Sequence, residues 1–186
     1  MQLTVPEIAP HAFIVAEFMS LDTAVRTELL AGAVYDVSPR SEPHRYAVRK
    51  LSRALTHGLF DTACEVQIQD AVAVPGWYGA DAPEVDVAVI ARKEYWPGPT
   101  SADALAFVEV SDTTYAVDRG YKIPLYVNAG VPAWIVNLQR RRVEFYASPA
   151  DLALPHGCVR GEADAFSILG VEIAVRDLLC SRPDGS

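Results

Sequence analysis

Two carboxylates stand inside apolar, strand-like runs, and a lysine follows them. Asp86 lies in Glu84-Val85-Asp86-Val87-Ala88-Val89-Ile90, Glu109 in Leu105-Ala106-Phe107-Val108-Glu109-Val110, and Lys122 in Asp118-Arg119-Gly120-Tyr121-Lys122. A carboxylate taken out of water costs several kcal/mol unless something pairs with it. Side chains alternate faces along a strand. Asp86, Ala88 and Ile90 therefore share one face, and Leu105, Phe107, Glu109 and Ser111 share one on the next run. If the two strands are neighbours, Asp86 and Glu109 converge on one point. Carboxylate oxygens plus water suit Mg²⁺, which takes only one or two protein carboxylates. Such an ion activates water and neutralises charge on a phosphate. The plainer alternative is that the acids pair with Lys122 or an arginine and hold no metal.

The elements that must carry these groups can be read from periodicity and turn chemistry. Phe13 to Leu21 reads as a short helix, and Arg26 to Val37 as a hairpin turning at Ala31-Gly32. Pro39 and Pro43 bracket a loop. Glu42 to Phe60 is the strongest helix, with Val48, Leu51, Leu55 and Leu59 on one face and a stop near Gly58. Strands are expected at Ala63–Ile68, at Asp70–Val74, and at about 84–91 and 105–111, the last two joined by an irregular loop through Pro97-Gly98-Pro99. Pro75 to Gly79 reads as a turn. A helix over about Tyr121 to Ala129 must begin near Gly120 or kink, because Pro124 lacks an amide proton. Pro132–Leu138 pairs as a hairpin with Val143–Tyr146 across Arg140-Arg141-Arg142, and a last hairpin turns at Gly170 before a short Arg176–Leu179 segment. The order predicts an α/β domain with a mixed sheet flanked by helices over 13–180, between an N-terminal extension (1–12) and a polar tail (181–186).

Composition narrows the setting. With 186 residues, 51% hydrophobic and 22% charged, the chain suits one globular domain with a real core. It has no long apolar run, so no transmembrane helix is expected, and no Lys or Arg before Arg26, which argues against a secretory leader. The three cysteines, Cys64, Cys158 and Cys180, suit neither a disulfide framework nor a zinc site, and a reducing cytoplasm is the simplest location. The histidines, His11, His44, His57 and His156, lack zinc-ligand spacing. A formal charge of −8 runs against phosphate binding. The stripe Arg45, Arg49, Lys50 and Arg53 could still track a nucleic-acid backbone. A solvated helix face explains the same stripe, and the acidic balance favours that plainer reading.

Longer strings carry a resemblance. Phe107-Val108-Glu109-Val110-Ser111, then Asp118-Arg119-Gly120-Tyr121-Lys122-Ile123-Pro124-Leu125-Tyr126, then Ala129-Gly130-Val131-Pro132-Ala133-Trp134-Ile135-Val136, resemble the Uma-type restriction endonucleases of the PD-(D/E)XK nuclease superfamily. Glu28-Leu29-Leu30-Ala31-Gly32, Ser38-Pro39 through His44, and Val85-Asp86-Val87-Ala88-Val89 are similar to further pieces of that pattern. The likeness runs from about Phe13 to Leu179. It implies a restriction-endonuclease-like core that hydrolyses phosphodiester bonds with Mg²⁺ or Mn²⁺, with DNA as the expected substrate. Asp86, Glu109 and the Val110 carbonyl would hold the metal. Lys122 would position water or stabilise the phosphate, and Glu28 would be an accessory acid.

The chain departs from the superfamily pattern at Val85, where Pro is usual, and at Ser111, which occupies the usual lysine position. Lys122 stands where the family carries that charge on a helix instead. Ala33, Ala133 and Asn137 replace acids seen in relatives. The alternative function is an inactive nuclease-like module that binds nucleic acid or protein. Duplex cleavage needs two active sites, so a homodimer would serve it, although no sequence feature demands one.

Overall fold

The computed structural model describes residues 11–37, 40–76, 79–96 and 98–181. Ser38, Pro39, Trp77, Tyr78, Pro97, most of the expected N-terminal extension and nearly all of the polar tail lie outside them. A short helix α1 (Val15–Phe18) precedes the hairpin β1 (Thr27–Leu30) and β2 (Ala33–Asp36). Ala31 and Gly32 at its tip have φ of 51° and 76°, the left-handed pair that matches a tight turn to the twist of its strands. Helix α2 spans Glu42–Gly58. Ser41 caps it by accepting the His44 N–H at 3.3 Å, and Pro43 sits in its first turn, where the missing amide proton is not needed.

The sheet strands follow: β3 (Cys64–Ala71), a small hairpin β4 (Val74–Gly76) and β5 (Gly79–Asp81), then β6 (Glu84–Ala91) and β7 (Ala104–Ser111). A helical run of α3 (Tyr115–Val117), a π-turn (Asp118–Lys122) and α4 (Ile123–Asn128) leads to β8 (Ala133–Asn137) and β9 (Arg142–Tyr146). The chain closes with β10 (Cys158–Gly161) and the hairpin β11 (Ala165–Ile168) and β12 (Val171–Ala174), followed by a short helical turn at Val175–Leu178. The central sheet runs β10-β9-β8-β7-β6-β3, antiparallel except for the parallel β7–β8 pair that the helical run connects. Val48, Leu51, Leu55 and Leu59 pack with Val87, Val89, Ala106 and Val108 on one face. Ile123, Tyr126 and Val127 pack with Ala88, Ile90 and Phe107 on the other.

Five expectations change. Pro75 and Gly76 lie in β4 and Gly79 opens β5, where a turn is expected. Asp70 belongs to β3, not to a separate strand, and β10 adds a strand the sequence does not announce. Leu105 leaves the shared face, because a bulge shifts the β6–β7 register at Val89/Ile90 and turns it toward solvent. The helix over the second face starts at Tyr115, not near Gly120. Its π-turn absorbs an extra residue before Pro124, so proline falls in the first turn of α4.

Candidate active site

The site forms where β6 parts from its neighbours. Pairing with β7 runs as far as Val87–Val108 and stops before Asp86 would meet Glu109. On the other side, Ile68–Val87 and Asp70–Val85 flank Gln69, whose φ of 58° breaks the ladder opposite Asp86. The freed Val110 N–H donates to Asp86 Oδ2 at 2.9 Å. His44 Nε2, from the start of α2, meets the same oxygen at 3.1 Å, and Arg40 approaches Oδ1 at 3.6 Å. Burial alone would raise the Asp86 pKa. The His44 contact, the Val110 N–H and the Lys122 charge outweigh it and hold the group below its ordinary value.

Glu109 is only 2% exposed. Tyr126, one turn beyond Lys122 on the helical run, donates its hydroxyl to Glu109 Oε1 at 2.5 Å. Burial pushes this carboxyl well above the usual range. Lys122 pulls against that shift, while the charges of Asp86 and Asp118 add to it. The two acids thus have opposite electrostatics within one cleft, a separation that often marks acid–base or metal chemistry.

Lys122 crosses from the π-turn to this point. Its ammonium is 2.8 Å from Glu28 Oε2 and 3.6 Å from Glu109 Oε1, and it donates to the Glu84 carbonyl at 3.1 Å. Burial works against its charge, but Glu109, Glu28 and Asp118 outweigh that and hold it protonated, well above the ordinary lysine value. Glu28 reaches it because β1 docks two residues before β6: Leu29 and Ala82 exchange backbone hydrogen bonds of 3.1 and 3.0 Å. Glu28 Oε2 also accepts the Glu84 N–H at 3.2 Å. Ser111, in the usual lysine position, instead donates to Asp118 Oδ2 at 2.6 Å, and Thr114 donates to the same oxygen at 2.6 Å.

Several contributors carried no sequence signal strong enough to single them out. Arg40 pairs with Glu84 and Asp86, and Glu84 also takes Arg26. Asp81 accepts the Ala31 N–H at 2.5 Å on one oxygen and the Tyr121 hydroxyl at 3.1 Å on the other. It thereby ties the β1–β2 turn to the π-turn. A Cβ on Gly76 would fall 1.6 Å from Asp81 Oδ2. Because Asp81 is held at both oxygens, Gly76→Ala should cost about 1–3 kcal/mol. Denaturant unfolding checks this, and a stability within ~0.5 kcal/mol of the parent would show that Asp81 moves freely.

Glu28, Arg40, His44, Asp86, Glu109 and Lys122 are among the groups lining a cleft of about 710 Å³ between the β1–β2 hairpin, the start of α2 and the helical run. Among the described residues, no three His, Cys, Asp or Glu side chains form a ready-made metal cage. The family model Uma2, described as "Putative restriction endonuclease", matches residues 15–175. The chain belongs to the Uma2 family. Its fold is also similar to a crystal structure described as a putative nuclease of DUF820 from Anabaena variabilis. That match has a TM-score of 0.65 at 12% identity and covers 88% of this chain and 95% of that one. No curated protein matches.

Family and fold together make this a restriction-endonuclease-like α/β domain, as the motif strings imply. Asp86, Glu109, Lys122 and Glu28 all line one cleft of this Uma2 domain. The stripe Arg45, Arg49, Lys50 and Arg53 does not line it. Arg45 and Arg49 pair with Glu42 at 2.9 and 2.8 Å, and Lys50 lies 5.4 Å from the Tyr46 ring centre. No helix among the described residues is long and apolar enough to cross a membrane.

Proposed function

We propose that this Uma2 protein is a divalent-metal-dependent nuclease that hydrolyses phosphodiester bonds in DNA. The observation that carries the reading is Lys122: its ammonium reaches Glu109 and Glu28 from a helix, supplying the charge that Ser111 cannot. The donor chemistry fits a hard cation. Glu109, Asp86 and Asp118 crowd negative charge into one buried place, and their repulsion helps to raise Glu109. Asp86, Glu109 and the Val110 carbonyl would hold Mg²⁺ or Mn²⁺, with water completing the shell. When bound, the ion would supply a polarised water and neutralise charge on the phosphate.

The chain's own residues do the rest. Val110 and His44 fix one oxygen of Asp86, and the Tyr126 hydroxyl fixes Glu109. Lys122 holds a permanent positive charge beside the acids, where it stabilises charge developing on a phosphoryl oxygen. Glu28 orients that ammonium. Free cysteines suit a reducing cytoplasm.

A second reading has its own support. Arg40 lies 3.6 Å from Asp86 and Lys122 lies 3.6 Å from Glu109, so each acid already meets a cation. On that reading the chain is an inactive nuclease-like module. Two measurements separate the readings. Incubation of plasmid, linear and single-stranded DNA with Mg²⁺ or Mn²⁺ should give cleavage that Asp86→Ala abolishes. Metal at ~10 times its Kd should add about 1.4 kcal/mol of stability, a rise of roughly 3–6 °C in Tm for a chain of this size. No cleavage and no shift at millimolar metal would favour the inactive module.

A further inference from the structure

We infer that the cleft takes single-stranded DNA, with Tyr35 as the platform on which a base stacks; this rests on the nuclease reading above. The walls differ in kind. One is acidic. The other, carried by the β1–β2 hairpin and the helical run, presents Leu30, Tyr35, Val37 and Val117. Tyr35 is 51% exposed although it lines the cleft, so its ring has an open face.

The charges decide against a duplex. Double-stranded DNA carries one negative charge per about 1.7 Å of axis and is held by Lys and Arg that displace its counterions. The Lys and Arg side chains lining this cleft are Arg40 and Lys122, and both are already engaged by carboxylates. Towards solvent the lining adds Asp36 and Asp112, which repel flanking phosphates. The exposed basic stripe on α2 lies outside the lining, and Glu42 engages Arg45 and Arg49. A single strand brings fewer phosphates to the rim, and it offers unpaired bases whose stacking on an aromatic ring adds affinity that a duplex, with its bases already stacked, does not supply. The volume agrees: about 710 Å³ falls within the ~300–1,000 Å³ of small-ligand pockets. That is room for a short stretch of one strand.

The test measures binding apart from cleavage. Fluorescein-labelled oligothymidylate, alone or annealed to oligodeoxyadenylate, is titrated with protein in Ca²⁺ and followed by anisotropy. The single strand should bind more tightly than the duplex. Tyr35→Leu, which keeps an apolar side chain but removes the ring, should weaken single-strand binding by about 5- to 150-fold, and Tyr35→Phe should bind like the parent. Equal or tighter duplex binding, an unaffected Tyr35→Leu variant, or no binding to either probe overturns the inference. Parallel digests in Mn²⁺ with Asp86→Ala as control separate the two claims. Single-strand binding that depends on Tyr35, without Asp86-dependent cleavage, leaves the binding inference standing and removes the nuclease reading. Asp86-dependent cutting of duplex with intact single strand does the reverse.

Discussion

Lys122→Met should lower nuclease turnover by about 100- to 1,000-fold, the usual cost of removing one preorganised electrostatic contact to a reacting group. The same change should destabilise the fold. Methionine keeps much of the side-chain volume but leaves Glu28, which Lys122 meets at 2.8 Å, and Glu109 without their shared cation. Breaking a buried pair by removing one partner costs about 3–5 kcal/mol. For a chain of this length that is a fall of roughly 6–20 °C in Tm. The two effects can be separated. The double variant Lys122→Met/Glu28→Gln removes the stranded charge and should regain part of the stability, but none of the turnover. Turnover within a factor of ~3 of the parent, assayed well below the variant's Tm, would show that the reaction does not use this charge.

Glu109→Gln should have the opposite sign on stability. Burial, reinforced by Asp86 and Asp118, raises the Glu109 carboxyl well above its ordinary value of 4.5 despite the pull of Lys122. Between that value and the folded-state pKa, the native protein binds more protons at this position than the unfolded chain. Stability therefore falls as pH rises through the window. Asp118, also raised by burial, adds the same slope, and Asp86, lowered, contributes stability that is lost only as pH falls through its own folded pKa. Glutamine still accepts the Tyr126 hydroxyl but has no proton to lose. At pH 7 and without metal, Glu109→Gln should be more stable than the parent. The gap should close as pH drops below ~4.5. The variant should also lose cleavage and the response of Tm to metal. Denaturant unfolding at both pH values reads the first part, and a variant less stable than the parent at pH 7 would refute the account of Glu109. The outcome would mark the cleft as a place where stability is given up to keep charge close together.

The same residues show how far the sequence reaches. Elements set by local rules were legible. The period of Val48, Leu51, Leu55 and Leu59 defined α2 and its buried face. The Ala31-Gly32 turn defined the β1–β2 hairpin. Strand alternation put Asp86 and Glu109 on the face that α4 covers, and the motif strings pointed to the fold class and family. These features depend on residues a few positions apart, so the chain's order is enough to reveal them.

The contacts within the cleft were not legible, because they join residues distant in sequence. Val110 donates to Asp86 only because the β6–β7 ladder stops at Val87–Val108. The π-turn at Asp118–Lys122 answers both Pro124 and the need to bury two charged side chains from one helical run. Arg40 and Glu84 join the site through ion pairs that no spacing encodes. By itself the sequence determined which groups could do chemistry and which faces they occupy, since side-chain type and strand or helix period are local properties. Tertiary structure decided that Lys122 crosses to Glu109 and Glu28 while Ser111 turns to Asp118, because a buried charge settles where packing brings enough opposite charge within reach.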